Sequence, residues 1–169
     1  MQPDIDDELE YLINEGIKWV RSQRKFLRPS AAEIPSKFKT FYSRYFSESV
    51  LDVARLSAAD VISNPPFFAN LPEVPFDFHE MDGITYDDTI LITEKCFGSN
   101  DLASLIFHEL VHVVQYQIFG VEEFLRQYIQ GWAENGRDYY AIPLEAEAYK
   151  LQERFEKAET FMVAKEIEL

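Results

Sequence analysis

The sequence contains little cysteine and little glycine. Its 169 residues include a single cysteine, Cys96, so no disulfide can form within the chain, and a reducing compartment is favoured over an oxidising one. The six glycines and eight prolines are not concentrated in a low-complexity segment, and no internal repeat is apparent. A disulfide-stapled scaffold and a repeat protein are therefore excluded.

Long apolar runs are absent as well. No stretch of the chain approaches the roughly 18 apolar residues that a membrane-spanning helix requires. Residues 1–10 are acidic and lack the basic segment followed by an apolar stretch that marks a secretory signal peptide. We therefore expect a cytoplasmic protein without a membrane partner.

Basic residues are scarce relative to acidic ones. The chain has 16 Lys and Arg residues against 30 Asp and Glu residues, a formal net charge of −14 and a sequence pI of about 4.6. Such a surface repels phosphate backbones and anionic lipid headgroups. We expect no nucleic-acid partner, and the composition leaves the oligomeric state open.

Apolar residues make up 47% of the chain and aromatic residues 15%, which predicts a globular protein. The length fits one domain over residues 1–169. We expect a helical N-terminal part up to about residue 49, followed by a core over residues 50–169 that contains the most informative motif.

That motif is His108-Glu109-Leu110-Val111-His112, a His-Glu-x-x-His pattern within an apolar helical segment. Four residues make about one helical turn, so the two histidines lie on one face and can occupy two corners of a tetrahedral zinc site. Glu109 lies beside such a metal, where its carboxylate can accept a proton from a metal-activated water. The pattern therefore predicts a metal-dependent hydrolase.

The flanking residues predict the helix that carries the motif. Asn100-Asp101 offers an N-terminal cap, and Gly120 offers a C-terminal one. In the alternative interpretation, both histidines are core residues hydrogen-bonded to carbonyl groups, without a metal. The apolar positions at helical spacing are Leu102, Leu105, Ile106, Leu110, Val113, Val114 and Ile118.

Hydrophobic periodicity and turn residues predict the other elements. Residues 50–56 fit either a strand or the start of a helix, and we favour the strand. An irregular stretch containing Pro72 and Pro75 follows, and Asp87-Asp88 is expected to form a turn within the next strand segment. The remaining expected elements are helices over about 4–26, 35–46, 121–134 and 144–165, and strand over 84–93.

A second segment, Pro143-Leu144-Glu145-Ala146-Glu147-Ala148-Tyr149, completes a family resemblance. Together with the first motif it resembles the gluzincin arrangement of zinc metallopeptidases, in which a second helix supplies a glutamate as the third zinc ligand. The two motifs most resemble those of bacterial zincin-like proteins of uncharacterised function, which carry His-Glu-x-x-His-Val-Val-Gln and then Pro-x-Glu-x-Glu-Ala-Tyr. The resemblance covers roughly residues 82–155. It implies an α+β, mainly helical zincin-like domain with a small β-sheet or hairpin over the metal-binding helices.

The resemblance implies that His108, His112 and Glu145 bind zinc and that Glu109 is the general base. Glu147 is the alternative third ligand. The two glutamates project about 200° apart around a helix, so only one can face the metal, and amphipathicity alone does not choose. The resemblance assigns Glu145. The family often has an aspartate where this chain has Tyr149, so that hydroxyl or another residue must orient the site.

Three further residues are weaker candidates. His79 would be a third metal ligand, although a lone histidine in a loop is usually a surface residue. Tyr139 or Tyr140 would be the hydrogen-bond donor to the reacting oxygen, although aromatic residues before a buried helix more often pack. The resemblance also implies that residues 84–93 present a sheet edge to which an extended peptide adds as a strand.

Two functions follow from the zinc prediction. The first is a zinc-dependent peptidase acting on a peptide or protein substrate. The alternative is a catalytically inactive zinc-holding domain that binds a protein partner, and a helical domain without metal is a third interpretation. The presence of Glu109 favours the peptidase, because a structural zinc site does not need a general base.

Overall fold

Helices form most of the molecule and pack around a small sheet, which confirms the predicted α+β class. The structure is a computed structural model that describes residues 5–71 and 76–169. Asp4, Pro72 and Pro75, which took part in the sequence predictions, lie outside the described residues. The helices are α1 (Ile5–Leu27), α2 (Ser36–Tyr42), α3 (Glu48–Val53), α4 (Leu102–Glu134), α5 (Pro143–Glu156) and α6 (Val163–Glu166), and the strands are β1 (Ala32–Glu33), β2 (Arg55–Ala59), β3 (Gly83–Tyr86) and β4 (Thr89–Thr93).

The four strands form one mixed sheet in the order β1-β2-β4-β3. β2 and β4 are parallel, whereas β1 and β3 are antiparallel edge strands. β3 and β4 form a hairpin whose turn residue Asp87 has a φ of 62°, a left-handed conformation that aspartate tolerates. Only the first part of the expected edge segment 84–93 lies at the sheet edge, because β4 pairs with β2 on its other side.

The preference for a strand over residues 50–56 is wrong for the first half of that segment. The backbone N–H of Val50 donates to the Ser47 hydroxyl at 3.4 Å, which caps the N-terminus of α3. Val50 and Leu51 then bury their side chains from the helix. A side-chain cap and tertiary burial outweigh the β-branched composition, and the strand begins only at Arg55.

The last predicted helix ends earlier than expected, at Glu156 rather than near residue 165. Ala158 has a φ of 57°, and its N–H donates to the carbonyl of Phe155, while the N–H of Glu159 donates to the carbonyl of Arg154. These two bonds form a Schellman C-cap. Glycine usually occupies this left-handed position, so an alanine gave no signal in the sequence. The chain then folds back and buries Phe161, Val163 and Ile167.

α4 is the central helix of the molecule. Residues 106–116 are buried without interruption, and α1 and α5 both pack against this helix. The predicted helix end at Gly120 is confirmed as a break, since Gly120 has φ 76° and ψ 164° and the helix continues in a new direction after it. Among the described helices, none has the length and apolarity needed to cross a membrane.

The start of α5 lies very close to the second half of α4. A Cβ atom added to Gly131 would lie 2.6 Å from Cδ of Pro143, so only glycine allows this approach. Pro143 is the first residue of α5, where its fixed φ and missing N–H cost nothing. The close contact brings the first turn of α5, including Glu145, to the face of α4 that carries the histidines.

Candidate metal centre

Two helices bring three ligand-type side chains together in the interior. α4 carries His108 and His112 one turn apart, and the first turn of α5 carries Glu145. The Nε2 atoms of the two histidines are 3.1 Å apart. Oε2 of Glu145 lies 3.2 Å from Nε2 of His108 and 3.4 Å from Nε2 of His112. All three residues are buried, and the group could hold a metal ion.

The separations within this group match those of a tetrahedral site. Zinc bonds of about 2.0–2.2 Å to nitrogen and oxygen place neighbouring ligand atoms roughly 3.3–3.5 Å apart at tetrahedral angles. The three separations, 3.1, 3.2 and 3.4 Å, fall within a few tenths of an ångström of that range. Three protein ligands leave the fourth position open, as in catalytic zinc sites. The donor set therefore fits a zinc ion.

A glutamine orients His112. Nδ1 of His112 lies 2.7 Å from Oε1 of Gln115. The amide oxygen faces the ring because the amide nitrogen donates elsewhere, to the carbonyl of Leu144 at 3.0 Å and to Oε2 of Glu147 at 2.9 Å. Nδ1 must then carry a proton and donate it, which leaves Nε2 to face the metal position. Glu147 lies behind the glutamine, whereas Glu145 lies beside the histidines.

His108 is oriented in the same way from α5. Its Nδ1 lies 3.1 Å from Oε1 of Gln152, whose amide nitrogen donates to Oε1 of Glu156 at 2.9 Å. Both histidines thus present Nε2 to the same point. The sequence patterns predicted no role for Gln115 or Gln152. The only available signal was spacing: Gln115 lies three residues after His112, and Gln152 lies seven residues, about two helical turns, after Glu145.

A tyrosine holds the third ligand. The hydroxyl of Tyr128 donates to Oε1 of Glu145 at 2.7 Å, which leaves Oε2 to the two imidazoles. Tyr149, considered in the sequence analysis as an orienting residue, instead packs its ring against His108 with ring centroids 4.5 Å apart. The orienting hydrogen bonds therefore come from Gln115, Gln152 and Tyr128 rather than from Tyr149.

Glu109 lies next to this group on α4 and is only 4% exposed. The Thr85 hydroxyl of β3 donates to its Oε2 at 2.7 Å. Burial raises the pKa of Glu109, while His108 and His112 act in the opposite direction. A carboxyl group with a raised pKa is better matched to accepting and returning a proton near neutral pH.

Two spaces border the group: a larger cleft with a mixed polar and apolar lining, and a smaller apolar cavity. The cleft has a volume of about 600 Å³ and is lined in part by His108 and Glu109. The cavity has a volume of about 100 Å³, is lined mainly by aromatic and aliphatic side chains, and is bordered by His112, Glu145 and Glu109. Glu109 therefore borders both spaces, and a molecule in the cleft can reach it.

Of the weaker candidates, Tyr139 approaches the site, whereas Tyr140 and His79 do not. Tyr139 lines both the cleft and the cavity, and burial raises the pKa of its hydroxyl, so it stays a hydrogen-bond donor. Tyr140 is 70% exposed at the rim of the cleft. His79 is exposed and lies 3.0 Å from the Asp77 carboxylate, outside the group that could hold a metal.

The three candidate ligands are electrostatically coupled. Burial alone would lower the pKa of His112, but the Glu145 carboxylate outweighs it and raises that pKa to about 9. Burial alone would raise the pKa of Glu145, but His112 and His108 hold it well below its usual range. Near neutral pH the metal-free protein therefore keeps a proton on His112, and a metal ion must displace that proton to bind.

The fold and the site together define a mainly helical α+β protein with a buried His/His/Glu group suited to a metal ion. Comparison of the chain with protein-family models, curated proteins and solved structures finds no match. The resemblance to gluzincins therefore rests on the quoted motifs, and the geometry shows a buried His/His/Glu group that could hold a metal ion.

The first prediction ranks the two glutamates of α5. Glu145→Gln should weaken zinc binding at least tenfold, because an amide replaces the charged ligand. Glu147→Gln should change the affinity no more than about threefold, because that residue lies behind Gln115. A chelator competition titration measures both affinities, and the opposite ranking would contradict the assignment.

The second prediction concerns the orientation of His112. Gln115→Leu removes the acceptor of the Nδ1 proton and should weaken zinc binding about 10- to 100-fold, as loss of an outer hydrogen bond to a metal-binding histidine typically does. Gln117→Leu is the matched control, because Gln117 is exposed on the same helix. Equal affinities in the two variants would show that Gln115 does not orient the ligand.

The third prediction follows from the coupled protonation. The pKa of His112 is raised to about 9, from an ordinary histidine value of about 6.5. The protonated form of His112 therefore stabilises the metal-free protein fully at pH values below about 6.5, and this stabilisation is lost as the pH rises through 9. Zinc binding at pH 7.5 should therefore release about one proton, and clearly less at pH 9.5. Calorimetry in buffers of different ionisation enthalpy measures the release, and the same release at both pH values would contradict it.

Proposed function

We propose that this protein is a zinc-dependent metallopeptidase-like hydrolase that cleaves peptide bonds in a peptide or protein substrate. The position of Glu109 carries the proposal. Its carboxylate is buried beside His108, His112 and Glu145 and also borders the open cleft. A reactant in the cleft would then meet the metal site and a base with a raised pKa at one place.

His108, His112 and Glu145 would hold the zinc ion. When bound, zinc would polarise the scissile carbonyl and lower the pKa of the attacking water. Glu109 would take the proton from that water and return it to the leaving amine. Its burial suits both steps, because it raises the pKa of the carboxyl group toward the working pH, where the group can both accept and donate a proton.

Tyr139 would donate a hydrogen bond to the developing oxyanion. It borders the cleft, and its raised pKa keeps the hydroxyl protonated. Exposure at the rim makes Tyr140 a poorer donor, because a preorganised donor needs a site from which water is excluded. Of the two tyrosines left open by the sequence, we therefore choose Tyr139.

The substrate would bind in extended form along β3. This strand is at the edge of the sheet, and its first residue, Gly83, borders the cleft. An edge strand offers unpaired backbone N–H and C=O groups to which an extended peptide can add as a further strand. This mode recognises main chain, so it suits peptide substrates of varied sequence.

The alternative function, a zinc-holding domain that binds a protein partner without cleaving it, has one observation in its favour. His108, His112 and Glu145 are each 5% exposed or less, as in structural zinc sites that are closed to solvent. Such a site would leave the buried carboxylate of Glu109 without a task. The two functions differ in whether Glu109 takes part in catalysis or contributes only to the stability of the fold.

The fourth prediction separates them. Zinc-loaded protein should cleave members of a random peptide library, and Glu109→Gln should lower the rate at least a hundredfold while keeping one zinc per chain, because Glu109 moves protons and does not ligate. Mass spectrometry of the products measures cleavage. Glu123→Gln, on the same helix and exposed, is the control. No cleavage by the zinc-loaded wild type would favour the zinc-holding domain.

A further inference from the structure

Strand β3 contacts Glu109 through one side chain. The Thr85 hydroxyl lies 2.7 Å from Oε2 of Glu109 and 3.1 Å from the Glu109 backbone carbonyl. A hydroxyl has one proton to donate, and the shorter distance to a charged acceptor indicates that it goes to Oε2. Thr85 is 6% exposed, so water does not compete for this bond. One oxygen of the carboxylate is therefore occupied.

The other carboxylate oxygen of Glu109, Oε1, lies close to a glycine of the same strand. Gly83 and Thr85 are two residues apart and face the same side of the sheet. A Cβ atom on Gly83 would lie 2.8 Å from Oε1 of Glu109 and 3.2 Å from its Cδ. The backbone of Gly83 does not have a positive φ, so its conformation does not require glycine. The close approach to the carboxylate is the reason why a side chain does not fit.

Oε1 is left free by this arrangement. No described residue donates a hydrogen bond to Oε1. The atom is also not one of the polar atoms that are buried without a partner, so it is accessible to solvent. Gly83 and Glu109 both border the cleft. A molecule in the cleft can therefore reach Oε1, whereas Oε2 is held from behind by Thr85.

We propose that β3 gives the two carboxylate oxygens of Glu109 different roles. Thr85 is a positioning residue that fixes Oε2, whereas Gly83 keeps Oε1 uncovered, and Oε1 is the proton acceptor. The inference rests on the proposed function. Oε1 would take one proton from the attacking water as the water oxygen bonds to the scissile carbon. It would pass the same proton to the amine nitrogen as the carbon–nitrogen bond breaks, so the carboxylate is regenerated.

The test compares four zinc-loaded variants with the wild type. Thr85→Val removes the hydroxyl at nearly constant volume, Thr85→Ser keeps it, and Gly83→Ala places a methyl group on Oε1. Thr93→Val is the matched control, because Thr93 is a buried threonine of the same sheet whose hydroxyl lies 3.2 Å from Sγ of Cys96 instead. The measurements are zinc content, kcat and KM for a cleaved peptide, and crystal structures of each protein.

Thr85→Val should lower kcat about 10- to 100-fold, the usual weight of one hydrogen bond to a buried charge. Gly83→Ala should lower kcat by a similar factor, because its methyl group would cover Oε1. In both variants KM should stay within about twofold of the wild type, with one zinc per chain. Thr85→Ser should recover kcat to within about threefold of the wild type, and Thr93→Val should match it. A Thr85→Val variant with the kcat of the wild type would overturn the inference and leave the proposed function intact.

The crystal structures test the role of β3 even if the protein cleaves no peptide. If zinc-loaded wild type cleaves nothing, the proposed function fails. The positions of the Glu109 carboxylate then show whether β3 places it. A carboxylate that turns away in Thr85→Val and Gly83→Ala, but not in Thr85→Ser or Thr93→Val, supports the positioning role of β3. The same carboxylate position in all five proteins overturns it.

Discussion

The burial of the Glu145 carboxylate is the constraint on which the rest of the site depends. Removing a carboxylate from water costs several kcal/mol unless its oxygens find partners in the interior, by general estimates for buried ions. Here the residue is 3% exposed, and both oxygens have partners: the Tyr128 hydroxyl donates to Oε1, and the protonated imidazole of His112 faces Oε2 at 3.4 Å. The imidazoles can only serve if their Nε2 atoms are turned toward the carboxylate, which explains the outer hydrogen bonds.

Those outer bonds place demands on the helices. Gln115 comes from α4, but its amide nitrogen bonds to Leu144 and Glu147 of α5, so the orientation of His112 depends on the spacing of the two helices. Gln152 reaches back from α5 to His108. The missing side chain of Gly131 sets this spacing. Packing and site geometry are thus one problem, because a shift of α5 would move Glu145 and release the amides together.

The sequence predicted the features that arise from local spacing. The i, i+4 separation of His108 and His112 places them on one helix face wherever that helix lies, and the turn at Asp87 follows from side-chain chemistry. Features that arise from tertiary contacts were not predicted. The cap of α3 by Ser47 competes with strand-forming residues, and the left-handed Ala158 ends α5 without the usual glycine. Amphipathicity could not choose between Glu145 and Glu147, because the choice depends on which face of α5 meets α4.

The two spaces that border the His/His/Glu group give Glu109 an unusual environment. The smaller space, of about 100 Å³, has an apolar lining that lowers the local dielectric, so the charges of the site act strongly on each other. The cleft, which Glu109 also lines, admits water to the same residue. Full burial would raise the pKa of the carboxyl group and deny it a reactant, whereas full exposure would admit the reactant and leave the pKa near its ordinary value. A position at the boundary satisfies both requirements, and β3, which contributes Gly83 and Thr85 on its α4-facing side, defines that boundary.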